Sequence, residues 1–426
     1  MSIEFSLAGK KLTARSGILE LMDDLGRAMT EHPDMLMLGG GNPAAVPSIQ
    51  KLWRDRMQDL VNEGPAFDRM LGNYDPPQGN PIFLRAMTKL LRQQFGWEIG
   101  PENLAVTNGG QSAFFFLFNL LAGRFENNKH RKILLPLTQE YIGYADQGID
   151  ESLFVACKPE ISWPDGPESR IFKYRIDFAA VEKRLAEQDI AAIAVSRPTN
   201  PTGNVLTDEE IRRLSDLAAR HEIPFIIDNA YGTPFPGVIF ADASPFWAPH
   251  VILTLSLSKL GLPGTRTAVV IGPEQITKAV AAMTAIAGLA NGNIGQQLVL
   301  PLIESGEILN LGPQHLIPFY SEKSRLAQGW IREFFEGTGV DWALHTSEGA
   351  FFHWLWLRNL DCSTKGLYSR LKARNVLVVP GEYFYFGLED DWAQREQCLR
   401  LNFSQPAEVV REGIRIIADE ASKSLR

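Results

Sequence analysis

The sequence predicts an α/β fold, with a large domain on a mostly parallel sheet and a smaller α+β domain near the C-terminus. Three observations carry this. Short apolar runs alternate with amphipathic stretches through the middle of the chain, the rhythm of strand–helix repeats. Runs such as Ile190-Ala-Ala-Ile-Ala-Val195 are apolar on both faces, which suits strands covered by helices on both sides. From about Leu300 the pattern changes to long charged helices, followed by strand-like Phe351–Leu357 and Val376–Val379.

In chain order, the candidate strands are Leu104–Thr107, Lys132–Leu135, Ile190–Val195, Ile223–Ile227, Val251–Leu255 and Ala268–Ile271. Thr207-Asp-Glu-Glu210 has the spacing of a capping box and opens a helix expected to run to about His221. Residues 1–45 are expected to form an N-terminal arm packed on the smaller domain. Residues 46–300 form the large domain and 301–426 the small one. No internal repeat, low-complexity tract or flexible linker interrupts this division.

Composition narrows the function. At roughly 150 residues per domain, 426 residues suggest two or three domains, and 45% hydrophobic with 22% charged residues is ordinary for a soluble globular protein. Forty-two Lys and Arg against 50 Asp and Glu leave a net charge of −8, without a basic footprint for nucleic acid or a membrane surface. Cys157, Cys362 and Cys398 lack metal-ligand spacing and cannot all pair within one chain, which points to a reducing compartment. The first ten residues lack the apolar core of a signal peptide, and no stretch approaches the ~20 apolar residues of a membrane span, so a cytoplasmic protein is expected. The histidines (His32, His130, His221, His250, His315, His345, His353) show no metal spacing, and no metal is expected. Nucleophile-elbow, Walker A and dinucleotide-fingerprint patterns are missing.

The residues with chemical potential share one position: at or just past the C-terminal end of a candidate strand, where open α/β sheets bind ligands. Lys259, in Ser256-Leu-Ser-Lys-Leu-Gly-Leu-Pro-Gly-Thr-Arg266, follows an apolar strand, and a desolvated lysine amine becomes a nucleophile for carbonyls. Ser256, Ser258 and Arg266 beside it offer a phosphate grip. Together these point to pyridoxal phosphate. Asp228 ends another apolar run and needs a cation such as a protonated pyridine nitrogen; a helix N-cap is the alternative, which the pairing with Lys259 after the next strand disfavours. Arg197-Pro-Thr-Asn-Pro-Thr-Gly203 reads first as a proline-rich turn. Next to Lys259 and Asp228, its Asn200 can also donate to a phenolate oxygen, as can Tyr231. Gly109-Gly110-Gln111 precedes a helical stretch, so its amides can cradle an anion, a signal that is weak alone.

Asn200-Pro-Thr-Gly203, Asp228-Asn-Ala-Tyr231, Ser256-Leu-Ser-Lys259 with Arg266, and Arg400-Leu-Asn-Phe403 stand in the order found in class I/II aminotransferases, which the chain resembles from Leu38-Gly-Gly-Gly-Asn-Pro43 to Phe403. The resemblance implies fold type I, with a seven-stranded, mostly parallel sheet in the large domain, and pyridoxal 5′-phosphate as cofactor. It implies that Lys259 holds the cofactor and moves the proton, that Asp228 pairs with the pyridine nitrogen, and that Asn200 and Tyr231 bond the ring oxygen. Ser256, Ser258, Arg266 and the turn Gly109-Gly110-Gln111 would hold the phosphate, and Tyr141 would stack on the ring. Tyr74, in Asn73-Tyr-Asp-Pro-Pro-Gln-Gly79, matches a phosphate ligand supplied by the other subunit of a homodimer. Arg400 would clamp the substrate α-carboxylate, helped by the Gly41 amide. Gly110 departs from the family, which often has a small hydroxyl residue there; one phosphate contact is then lost.

The expected reaction moves an amino group from valine, or a similar small aliphatic amino acid, to pyruvate. The segment Ala281–Gln297 contains no Arg or Lys to receive a second carboxylate, with Arg15 and Arg197 as the remaining candidates for that task. A fold type I lyase or decarboxylase, and a sensor that binds the cofactor without turnover, are the alternatives.

Overall fold

In a computed structural model, which describes residues 3–31 and 34–425, two sheets organise the chain. His32 lies outside the described residues.

The larger sheet runs in the order Leu104–Thr107, Ala268–Ile271, Val251–Ser256, Phe225–Asn229, Ile190–Ser196 and His130–Leu135. Phe154–Ala156 pairs parallel to His130–Leu135, completing seven strands, and the two-residue Gly123–Arg124 adds a short antiparallel edge. Ala268–Ile271 is antiparallel to both its neighbours, whereas the pairings from Val251–Ser256 to Phe154–Ala156 are all parallel. Every residue of Ile190–Ser196 and Val251–Ser256 is buried, as strands covered on both faces require.

Most strand limits agree with the sequence reading, and the differences have local causes. The strand expected at Ile223–Ile227 begins at Phe225, because Pro224 has no N–H to give to the ladder. The single strand expected at Val376–Val379 is two. Val376–Leu377 pairs parallel with Leu36–Met37, and Val379–Pro380 pairs with Cys398–Asn402, so the chain changes partner within four residues. The helix after Thr207 spans Asp208–Arg220 with the reciprocal cap in place: Glu210 N donates to Thr207 Oγ1 (3.1 Å) and Thr207 N to Glu210 Oε2 (2.8 Å).

The second sheet has the order Val379–Pro380, Cys398–Asn402, Phe352–Leu357, Trp342–His345, Ile171–Arg175 and Glu160–Ser162. Its last two strands form a hairpin from within the 46–300 segment that joins the C-terminal strands. This topology sets Arg400, on Cys398–Asn402, opposite the open edge of the first sheet, where Ser196, Asn229 and Ser256 end their strands. Among the described residues no helix is long and apolar enough to cross a membrane.

Candidate active site

At that edge lies a cavity of about 210 Å³. Gly41, Gly110, Gln111, Tyr141, Asn200, Asp228, Tyr231, Ser256, Ser258, Lys259, Arg266 and Arg400 all line it. Two expected site residues do not. Gly109 sits just behind the wall as the N-cap of helix Gly110–Leu121 with φ +84, where a Cβ would come within 2.2 Å of the Arg266 guanidinium. Glycine at this position therefore allows both the left-handed turn and the close approach of the arginine. Tyr74 is 82% exposed and lies outside the cavity of its own chain.

The Lys259 side chain is half-buried, and its Nζ donates to the Gly41 carbonyl (2.7 Å). It hangs over the rings of Tyr231 (5.1 Å) and Phe351 (5.4 Å). Desolvation, with the positive charges of Arg400 and Arg266, brings its ammonium down to about 8, against the pull of Asp228. The amine is thus nearer its neutral, nucleophilic form at physiological pH than an ordinary lysine.

Asp228 is buried and accepts three hydrogen bonds, from the Tyr144 hydroxyl, Ala230 N (2.8 Å) and Thr254 Oγ1 (3.2 Å). No salt bridge reaches it among the described residues. Burial pushes its pKa up and the hydrogen bonds oppose that, so a cation in the cavity would stabilise its ionised form. At the other end, Arg266 donates, among the described residues, only to carbonyls, Pro263 O (3.4 Å) and Asn108 O (3.5 Å). Beside it the first amides of helix Gly110–Leu121 have no acceptor within their own helix, which makes an anion cradle.

Arg400 is fully buried between the Phe352 and Phe384 rings (4.4 and 5.5 Å) and donates to Asn200 Oδ1 (2.8 Å) and Gly39 O (2.7 Å). Its Nε has no partner among the described residues. Desolvation lowers its pKa to about 10, while Tyr231 and Tyr141 oppose the shift. A buried guanidinium with an idle donor is prepared for a carboxylate.

The other two candidate cations point elsewhere. Arg197 donates to Leu206 O (2.7 Å), Ser244 O (3.0 Å) and Asp208 Oδ1 (2.6 Å), held away from the cavity. Arg15 is 83% exposed and pairs with Glu20 (3.4 Å).

The structure adds residues that sequence reasoning did not single out. Tyr144 anchors Asp228 and packs edge-on to Tyr141 at 5.3 Å. Glu140 accepts from Ser196 N (2.8 Å), Ser196 Oγ (2.6 Å) and Tyr141 N (3.3 Å), joining the loop after one strand to the end of its neighbour. Ile18, Leu21 and Met22 of helix Gly17–Glu31 line the cavity. The position of Tyr144 three residues after Tyr141 was a usable signal; nothing local marks the others.

A low-pKa lysine, a carboxylate without a salt bridge among the described residues and an anion cradle, set at strand ends around one cavity, define a pyridoxal-phosphate-type site. A family model, aminotransferase class I and II, matches residues 51–417, and the chain belongs to that family. Over 421 residues it is 45% identical to valine–pyruvate aminotransferase of Escherichia coli (strain K12), covering 99% of this chain and 98% of that protein. The crystal structure of valine–pyruvate aminotransferase from Salmonella typhimurium LT2 superposes with a TM-score of 0.86 at 43% identity, covering 96% and 99% of the two chains. A Psychrobacter arcticum 273-4 protein described as an amino-acid aminotransferase superposes with a TM-score of 0.95 at 40% identity, covering 99% of each chain. The family's cofactor is pyridoxal 5′-phosphate, and the residues present fit it. Asp228 needs a cation where a pyridine nitrogen provides one, and the amides beside Arg266 need an anion where a phosphate provides one.

Proposed function

We propose that this chain transfers the amino group of valine, or a similar small aliphatic amino acid, to pyruvate, giving 2-oxoisovalerate and alanine. The observation that carries the reading is the cavity's set of cations. Lys259, Arg266 and Arg400 are the lysines and arginines of its lining, and each has a task before any substrate side chain arrives. A second carboxylate on the substrate would enter without a partner, at a cost of several kcal/mol. The 45% identity to a valine–pyruvate aminotransferase supports the same substrates.

Bound pyridoxal phosphate supplies an electron-accepting ring that stabilises charge developing at the substrate Cα. Lys259 would hold the cofactor through its amine, and the same amine, when free, would carry the proton between the substrate Cα and the cofactor side. Asp228, fixed by Tyr144 and Thr254, holds the proton on the pyridine nitrogen. Tyr141, Asn200 and Tyr231 line the cavity, where Tyr141 would cover the ring and the other two would donate to its oxygen. Ser256, Ser258, Arg266 and the amides of Gly110 and Gln111, shaped by Gly109, hold the phosphate. Arg400 clamps the α-carboxylate with the Gly41 amide beside it, which fixes the Cα–H bond in front of Lys259.

The assembly is a cytoplasmic homodimer in which Tyr74 reaches the phosphate in its partner's cavity. Residues 1–45 act as an arm on the small domain 301–426, and 46–300 carry the cofactor. Purified protein with cofactor, valine and pyruvate should yield 2-oxoisovalerate and alanine in equal amounts. Release of ammonia or carbon dioxide instead would replace transfer by lyase or decarboxylase chemistry.

A further inference from the structure

Helix Gly17–Glu31 closes one side of the cavity with Ile18, Leu21 and Met22. These positions are i, i+3 and i+4, so they share one face of the helix. Leu21 is buried, and Met22, 57% exposed, stands at the mouth. A substrate side chain meeting this face finds methylene groups and a thioether without charge.

The helix is fixed to the part of the molecule that carries Arg400. Asp24, buried on the same helix, accepts from the Tyr368 hydroxyl (2.8 Å) and from Lys372 Nζ (2.8 and 2.9 Å), both on helix Thr364–Lys372. At its start, Gly17 lies so close to the Tyr383 ring that a Cβ would come within 2.6 Å of a ring carbon. The helix also packs on the turn Ile142–Tyr144, next to the Tyr141 ring. The apolar face is therefore held at a set distance from both the carboxylate clamp and the cofactor end of the cavity.

We propose that the Ile18–Leu21–Met22 face is the receptor for the substrate's aliphatic side chain and sets the preference among aliphatic amino acids, with Asp24 as the residue that positions it. The proposal rests on the aminotransferase reading of the site. Arg400 recognises what all amino acids share, and this face recognises what distinguishes them. One methylene in such a contact changes selectivity by about 10- to 200-fold.

The test titrates the holoenzyme with the unreactive carboxylates acetate, isovalerate and glutarate, following binding by calorimetry. Leu21→Ala should weaken isovalerate about tenfold and leave acetate within about twofold. Met22→Arg, at an exposed position that does not endanger folding, should weaken isovalerate and tighten glutarate at least about tenfold, since it supplies the missing cation. Asp24→Asn should raise KM for valine several-fold more than KM for alanine at unchanged kcat, a split that general destabilisation does not produce. Isovalerate and acetate weakening together in Leu21→Ala, or an unmoved isovalerate-to-acetate ratio in both cavity variants, would overturn the proposal. Binding needs no turnover, so failure of the wild type to transfer an amino group refutes the aminotransferase reading alone, and the binding ratio still decides the role of the helix.

Discussion

Replacing Glu140 by glutamine should make the protein more stable at alkaline pH and leave it almost unchanged in mild acid. Glu140 is buried, and desolvation, reinforced by the charge of Asp228, raises its pKa from 4.5 to about 8, against the hydrogen bonds from Ser196 and Tyr141. A carboxyl whose pKa is raised on folding binds its proton more tightly in the folded state. Its contribution to stability is complete below 4.5 and is lost as pH rises towards about 8. That interval at about 1.4 kcal/mol per pH unit gives a ceiling of roughly 5 kcal/mol. Glutamine keeps the shape and the acceptor for Ser196 N, and its amide can donate to Ser196 Oγ; only the long bond from Tyr141 N (3.3 Å) is given up while the titration disappears. Thermal unfolding of both proteins at pH 5.5 and 8.5 checks this. The variant should lead the wild type only slightly at the lower pH, about one unit above 4.5, and by a few degrees at the higher. An equal difference at both values, or a wild type ahead at pH 8.5, would refute the argument from desolvation.

Three further outcomes are expected. Borohydride reduction of the holoenzyme should attach the cofactor to Lys259 and nowhere else on peptide mapping, and Lys259→Ala should lose at least about a thousandfold in kcat. Arg400→Lys should lower kcat/KM about ten- to a hundredfold for valine and alanine alike, because both lose the two-pronged grip on the carboxylate. It also leaves Asn200 Oδ1 and Gly39 O short of a donor, so a lower melting temperature should accompany the loss. Mixing Lys259→Ala with a weakened Tyr74→Phe should restore activity through one intact site per hybrid dimer; hybrids without any gain would place Tyr74 outside the site.

The legible parts of this fold are those whose signal is local. Ile190–Ser196 is apolar because it is covered on both faces, and the Thr207 capping box is a four-residue pattern. The Glu160–Arg175 hairpin escaped because its strands, Glu160–Ser162 and Ile171–Arg175, are short, carry charge, and acquire a sheet only by pairing with Trp342–His345 far along the chain. Within the cavity, residues at strand ends could be grouped in advance because parallel strands deliver their ends to one edge. Ile18, Leu21 and Met22 could not be, since the helix carrying them reaches the cavity by tertiary ties such as Asp24 to Lys372. Glu140 gave no warning either: its chemistry depends on Ser196, which ends a different strand. Arg197 shows the reverse case, a cation near the motifs in sequence that the fold commits to Asp208.

The most direct test of the central claim is the ratio of kcat/KM for valine to that for aspartate, measured on the wild type with pyruvate as the common acceptor. The account predicts that valine exceeds aspartate by at least about a hundredfold, the consequence of an unpaired carboxylate in a cavity whose cations are already engaged. Aspartate equalling valine would contradict it, and would require a cation other than Arg15 or Arg197 as this structure places them.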